Sequence, residues 1–170
     1  LVINPGSTST KIAVYTDNAR EVVFETNIVH DEEKINDFPN VAAQRVYRTE
    51  TVMEYLKSKN YDMSNLSAVV GRGGMVPELK GGGYKVNEKL CTRMASADIP
   101  QHASSLGALI AYGIARPLGL PAYIYDSTMG YDLLDIAKIT GIAEVERHGG
   151  IHLLNSRAQA IKYFAAKEQD

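Results

Sequence analysis

The sequence predicts an α/β domain built on a mixed sheet, and three observations predict it. Apolar runs at residues 1–3, 12–15 and 22–29 follow one another through connections too short for a crossover, which makes them an antiparallel meander. From Pro39 the apolar period changes from two to alternating steps of four and three, the signature of an amphipathic helix. That helix leads into a brief apolar run at residues 66–70, and helix followed by strand reads as a parallel crossover unit.

The first strand, Leu1-Val2-Ile3, runs into Asn4-Pro5-Gly6, where Pro-Gly marks a turn. Ser7, Thr8, Ser9 and Thr10 follow, then Lys11, and the second strand starts at once. Such a turn presents N–H groups, hydroxyls and an ammonium to one small volume, which suits a phosphate and its metal; an ordinary polar hairpin has the same composition. Asp17-Asn18-Ala19-Arg20 turns the chain into the third strand, and His30 to Lys34 reads as a charged loop with His30 solvated. The helix over residues 40–57 turns Ala42, Val46, Thr49, Met53 and Leu56 to the core, with Pro39 near its start, where proline is tolerated.

After the strand at 66–70 come two glycine-rich stretches, Gly71-Arg72-Gly73-Gly74 and Gly81-Gly82-Gly83-Tyr84. Arg72 leaves the end of a parallel strand, where ligands of open sheets collect, and its glycines let backbone approach closely; the alternative is a surface loop with a solvated arginine. A helix over 87–97 buries Leu90, Met94 and Ala97, and another over 104–115, capped by Ser104 or Ser105, buries Leu106, Leu109, Ile110 and Ile114. His102 precedes the second helix, either facing an anion or bonding its own loop. A fifth strand at 120–125 ends on Asp126, which stands beyond a strand end as Arg72 does, or else caps the helix that follows Ser127, Thr128 and Gly130. That helix covers 131–139 and stops at Gly141; the last covers 152–167, with Leu154, Ala158, Ile161 and Ala165 on one face. Five strands in a mixed sheet flanked by helices match a ribonuclease-H-like domain.

Composition narrows the class. The 170 residues are 45% hydrophobic and 22% charged, as in an ordinary globular domain, and long enough to bury a sizeable core. A net charge of −2 offers nucleic acid or an anionic membrane no electrostatic attraction. Neither a signal peptide nor an apolar run of membrane-spanning length is expected, and one cysteine, Cys91, excludes an internal disulfide. The expected location is the cytoplasm. The chain opens inside a strand without Met and closes in a charged helical tail, so an excerpt of a longer protein is expected. Neither a dinucleotide fingerprint nor a G-x-x-x-x-G-K-[ST] loop is present.

Five stretches in order carry a resemblance: Ile3-Asn4-Pro5-Gly6-Ser7-Thr8-Ser9-Thr10-Lys11, Gly71-Arg72-Gly73-Gly74, Gly81-Gly82-Gly83-Tyr84-Lys85-Val86-Asn87-Glu88, His102-Ala103-Ser104-Ser105-Leu106-Gly107-Ala108, and Asp135-Ile136-Ala137-Lys138-Ile139-Thr140-Gly141. The chain resembles the acetate and butyrate kinases, on the butyrate branch, within the wider group of sugar kinases, Hsp70 and actin. The resemblance implies an actin-like ATPase domain, residues 1–170 being the N-terminal half of a two-domain acyl kinase whose C-terminal nucleotide-binding domain is absent from this chain. It implies reversible transfer of phosphoryl from ATP to a short-chain carboxylate such as butyrate, with Mg²⁺, giving acyl phosphate and ADP. Half the nucleotide site lies elsewhere, so the 170 residues alone are expected to be inactive. A homodimer is the implied assembly.

Residue by residue, the resemblance implies catalytic roles for Arg72, Asp126 and His152. It places Asn4, Gly6, Ser7, Ser9, Thr10 and Lys11 at phosphate, Arg72, Gly73 and His102 at the acyl substrate, and Asn4 and Asp126 at the metal. The chemistry suits the set: a carboxylate is already ionised at neutral pH, so the site must neutralise charge and align two anions rather than supply a base. The chain departs from the family at Ser127-Thr128-Met129-Gly130, where a proline and valines are usual, and at Gln101, where an acid is usual. Other readings are a non-catalytic actin-like half acting as a scaffold, and a sugar kinase of the same group.

Overall fold

The computed structural model describes residues 1–16, 21–77, 79–129 and 133–167. The five expected strands are present: β1 (Val2–Pro5), β2 (Ser9–Tyr15), β3 (Val22–Val29), β4 (Val69–Arg72) and β6 (Ala122–Tyr125). The second glycine-rich stretch adds β5 (Gly83–Lys85), which pairs antiparallel to β6 and makes the sheet six-stranded, in the order β3-β2-β1-β4-β6-β5. β1, β4 and β6 are parallel, and β1, β2 and β3 form the antiparallel meander. The turn expected over Asp17 to Arg20 lies outside the described residues.

The helices are α1 (Glu32–Asn36), α2 (Arg45–Ser58), α3 (Glu88–Met94), α4 (Leu106–Ala115), α5 (Asp135–Lys138) and α6 (Leu153–Lys167). α4 is the central prop: Leu106, Leu109, Ile110 and Ile114 are buried as expected, and it packs across β1, β4 and β6 with α2 beside it. One sheet face, carrying Ile3, Ile12, Val14, Val69 and Ile124, meets these helices. α4 comes so close to β4 that a Cβ on Gly71 would overlap the Gly107 carbonyl, and one on Gly107 would overlap that of Arg72.

Three helical expectations are corrected. α2 exists, and Ala42 and Leu56 are buried as expected, but the buried line of the helix itself is Arg48, Val52 and Leu56, preceded by Gln44, while Val46 is 57% exposed. The stripe is set by a buried arginine, which a count of apolar residues passes over. α3 ends at Met94, leaving Ala97 exposed beyond it. α6 forms where its period predicts, yet it buries none of its residues: Ile161 is 60% exposed, and Tyr163 and Phe164 are exposed beside it. Periodicity establishes a helix; burial also needs a surface to cover it, and no described element does so. Between these, the helix expected over 131–139 is the single turn α5; Gly130, expected ahead of that helix, and Tyr131, expected to start it, lie outside the described residues, as do Glu168, Gln169 and Asp170. Among the described residues no helix is long and apolar enough to cross a membrane.

Candidate active site

The parallel strands end at one edge of the sheet, and the expected site residues gather there. Asn4 and Lys11 are cross-strand partners on β1 and β2, so alternation puts both on the open face. Arg72 closes β4 on the same face, next to β1. Asp126 follows β6 with φ of 66°, a left-handed conformation uncommon outside glycine, and its side chain is buried.

Asp126 caps a helix, though not the one expected. Its Oδ1 accepts from the Leu154 N–H at 2.9 Å, at the start of α6, and its Oδ2 lies 3.3 Å from Nδ1 of His152. Arg72 Nη2 lies 2.9 Å from both ring nitrogens of His152. Arg72, His152 and Asp126 thus form one connected group although 80 residues separate Arg72 from His152.

A cleft of about 810 Å³ opens beside them, lined by Asn4, Gly6, Ser7, Ser9, Lys11, Arg72, His102 and His152, with Ile35, Val41 and Met75 as apolar wall. His102 lines the cleft and also bonds its own loop: Nδ1 lies 2.8 Å from Ser104 Oγ and accepts from the Ser104 N–H at 3.2 Å. It caps the turn leading into α4, the role expected of Ser104 or Ser105.

Besides Asp126, which borders a neighbouring hollow, two expected residues stand behind the cleft rather than on it. Thr10 is wholly buried, because β2 alternates and Thr10 shares the inward face with Ile12 and Val14. Gly73 donates to Tyr125 O at 2.7 Å, and a Cβ there would fall 2.5 Å from the Ser127 nitrogen, so it seats the loop of Asp126 against β4. The departing segment completes this seat: Ser127 Oγ donates to Gly74 O at 3.0 Å, and the Ile151 N–H donates to Thr128 O at 2.9 Å.

Sequence reasoning missed what lies beneath the turn. Arg48 is fully buried, and its Nη1 donates to Gly6 O at 2.9 Å and Ser9 O at 3.0 Å. Nη2 donates to Ser7 O at 2.6 Å, and Nε to Gln44 Oε1 at 3.0 Å. His30 corrects the expectation of a solvated side chain: it is buried, with Nε2 2.8 Å from Thr10 Oγ1 and its ring against Tyr47. The available signal was alternation in β2, which sends Thr10 inward to need partners.

Burial, reinforced by the Arg48 guanidinium, pushes the His30 imidazole down to about 4. An unfolded histidine titrates near 6.5, so the unfolded chain takes up a proton first as pH falls. The stabilising effect of a neutral His30 is complete above about 6.5, declines as pH falls toward 4 and levels off below. The loss is on the order of 3 kcal/mol. Urea unfolding at pH 7 and pH 4.5 should therefore show a steeper loss for the wild type than for His30→Gln; equal slopes would refute the assignment.

No family model matches the chain. Over all of its 170 residues it is 42% identical to butyrate kinase 2 of Clostridium acetobutylicum, of which it spans 47%. The acetate kinase of Porphyromonas gingivalis superposes with a TM-score of 0.59 at 15% identity, over 95% of this chain and 48% of that one. A propionate kinase from Francisella tularensis subsp. tularensis SCHU S4 gives 0.52 at 14% identity, over 84% and 40%. The chain therefore spans about half the length of the relatives it matches. The two solved structures bear out the expected fold class.

Proposed function

We propose that this chain, homologous over its whole length to butyrate kinase, forms the acyl-binding half of an ATP-dependent carboxylate kinase. The observation that carries the reading is the meeting of Asn4, Lys11, Arg72 and His152 on one cleft that Ile35, Val41 and Met75 also line. A short aliphatic carboxylate needs both: a cation for its head and an apolar wall for its tail. Butyrate or a branched relative suits that wall.

In this reading Arg72 binds the substrate carboxylate, which is already ionised, and offsets its repulsion from the incoming phosphoryl group. Lys11 and the hydroxyls of Ser7 and Ser9 hold phosphoryl oxygens, and His152, between Arg72 and Asp126, adds a ring nitrogen to the same oxygens. In-line transfer then requires alignment and charge neutralisation, with no covalent intermediate on the protein. Asn4 and Asp126 line a common hollow with Arg72. One carboxylate and one amide oxygen are hard donors that fit a Mg²⁺ ion retaining most of its water, so these residues would hold it. When bound, Mg²⁺ neutralises charge between phosphates. The rest of the ATP site belongs to a second, C-terminal domain; a cytoplasmic location and a homodimer belong to the same reading.

The test is hydroxylamine trapping. The full-length gene product with ATP, Mg²⁺ and butyrate or isobutyrate is expected to give hydroxamate, and the 170-residue chain alone none. Full-length protein giving none with any short carboxylate would overturn the reading.

A further inference from the structure

We infer that Arg48 is the positioning residue of the turn at Gly6 to Ser9 and that its uncompensated charge makes the turn an anion site. This rests on the reading of the turn as a phosphate subsite and adds the device that creates it. The turn has a problem that its sequence does not reveal. For N–H groups and hydroxyls to serve an anion, the carbonyl oxygens must face elsewhere, because each is a partial negative charge.

The structure engages all four, three of them inward and one sideways along the ladder to the strand β3. The carbonyls of Gly6, Ser7 and Ser9 accept from the one guanidinium, and that of Thr8 accepts from the His30 N–H at 2.9 Å. Arg48 also reaches Thr10 Oγ1 at 3.2 Å, tying the turn to β2. A planar fork with five N–H donors can hold several carbonyls in one geometry, which an ammonium cannot.

Among the described residues no carboxylate pairs with Arg48; its partners are carbonyls, a hydroxyl and the amide of Gln44. Burying a cation without a counter-ion costs stability, and a neutral residue would avoid the cost. Arg48 and Gln44 both border the cleft beside Ser7 and Ser9. An anion in that cleft would supply the missing countercharge.

Three variants of the full-length protein separate this from a merely structural arginine. Gln44→Glu keeps the acceptor for Nε and neutralises the charge, giving up only the long 3.4 Å contact that the Gln44 amide nitrogen donates to Ile35 O. Arg48→Met removes the charge and the fork, and Arg48→Lys keeps the charge alone. Binding of pyrophosphate by calorimetry is the primary readout and is independent of turnover. Gln44→Glu is expected to bind about tenfold more weakly, the scale of one nearby unit charge in a partly shielded site, while unfolding at an unchanged or higher temperature. In kinetics the KM for ATP should rise with little change in the KM for the carboxylate, and Arg48→Lys should lie between wild type and Arg48→Met. Wild-type affinity in Gln44→Glu overturns the inference even if Arg48→Met fails to fold. So do equal losses in folded Arg48→Lys and Arg48→Met. Wild-type protein that binds pyrophosphate but forms no acyl phosphate supports the anion site and sinks the kinase reading instead; wild type that does not bind pyrophosphate overturns the anion site.

Discussion

Arg72→Ala in the full-length protein is expected to slow acyl phosphate formation by about 10² to 10³-fold, the range for removing one transition-state charge contact. Melting should shift by no more than a few degrees. The asymmetry follows from where Arg72 stands. Its backbone completes β4, but its side chain is half-exposed and its described partner is the exposed His152. Truncation leaves no buried group stranded, so the fold loses little. On the proposed mechanism the reaction loses the cation between a carboxylate and a phosphoryl group. Arg72→Lys should recover only part of the rate, since an ammonium lacks the two-pronged contact. A kcat and a KM for butyrate unchanged in Arg72→Ala would place Arg72 outside the site.

Gly71→Ala is expected to do the reverse, with its main effect on stability. The added methyl would collide with the Gly107 carbonyl, and the contact is backbone on both sides. No side chain can swing away, so α4 must separate from β4. Overpacking of this kind costs roughly 3 kcal/mol. For a domain of this size that lowers the melting temperature by roughly 6 to 12 °C. Gly141→Ala is the control, because nothing lies within 4 Å of the position where its Cβ would stand. Thermal unfolding of the two variants side by side decides the matter: equal melting temperatures would mean that the close approach of α4 to β4 does not constrain the fold.

The two variants mark what could be read from the chain. Local patterns are written in consecutive residues, so the meander, the crossover strands and α4 with its four buried apolar residues were all legible. So was the hydroxyl-rich turn as a composition, and so were Arg72 and Asp126 as strand-end residues. β5 was not, because three residues at the end of a glycine run are too few to carry a strand period; it forms because β6 offers an edge to pair with. The inward line of α2 was misplaced for a related reason. Counting apolar residues assumes that the buried face is apolar, and here its centre is an arginine whose acceptors lie 38 to 42 residues earlier in the chain. His30 was misjudged in the same way: a charged neighbourhood in sequence says nothing about Thr10 and Tyr47 closing over it.

The sequence by itself determined every strand but β5, the helices from α2 onward in outline, their order, and the short turn of small residues beside a lysine. Each depends on contacts within a few residues, where period and turn chemistry act directly. The tertiary structure alone decided that the carbonyls of Gly6, Ser7 and Ser9 turn onto Arg48, that Thr10 belongs beneath the turn rather than in the cleft, and that Arg72, His152 and Asp126 meet. The physical reason is common to all three. A polar group has no preferred direction until its partner is in place, and here the partners come from α2, β3 and α6, brought to the turn only when the sheet closes.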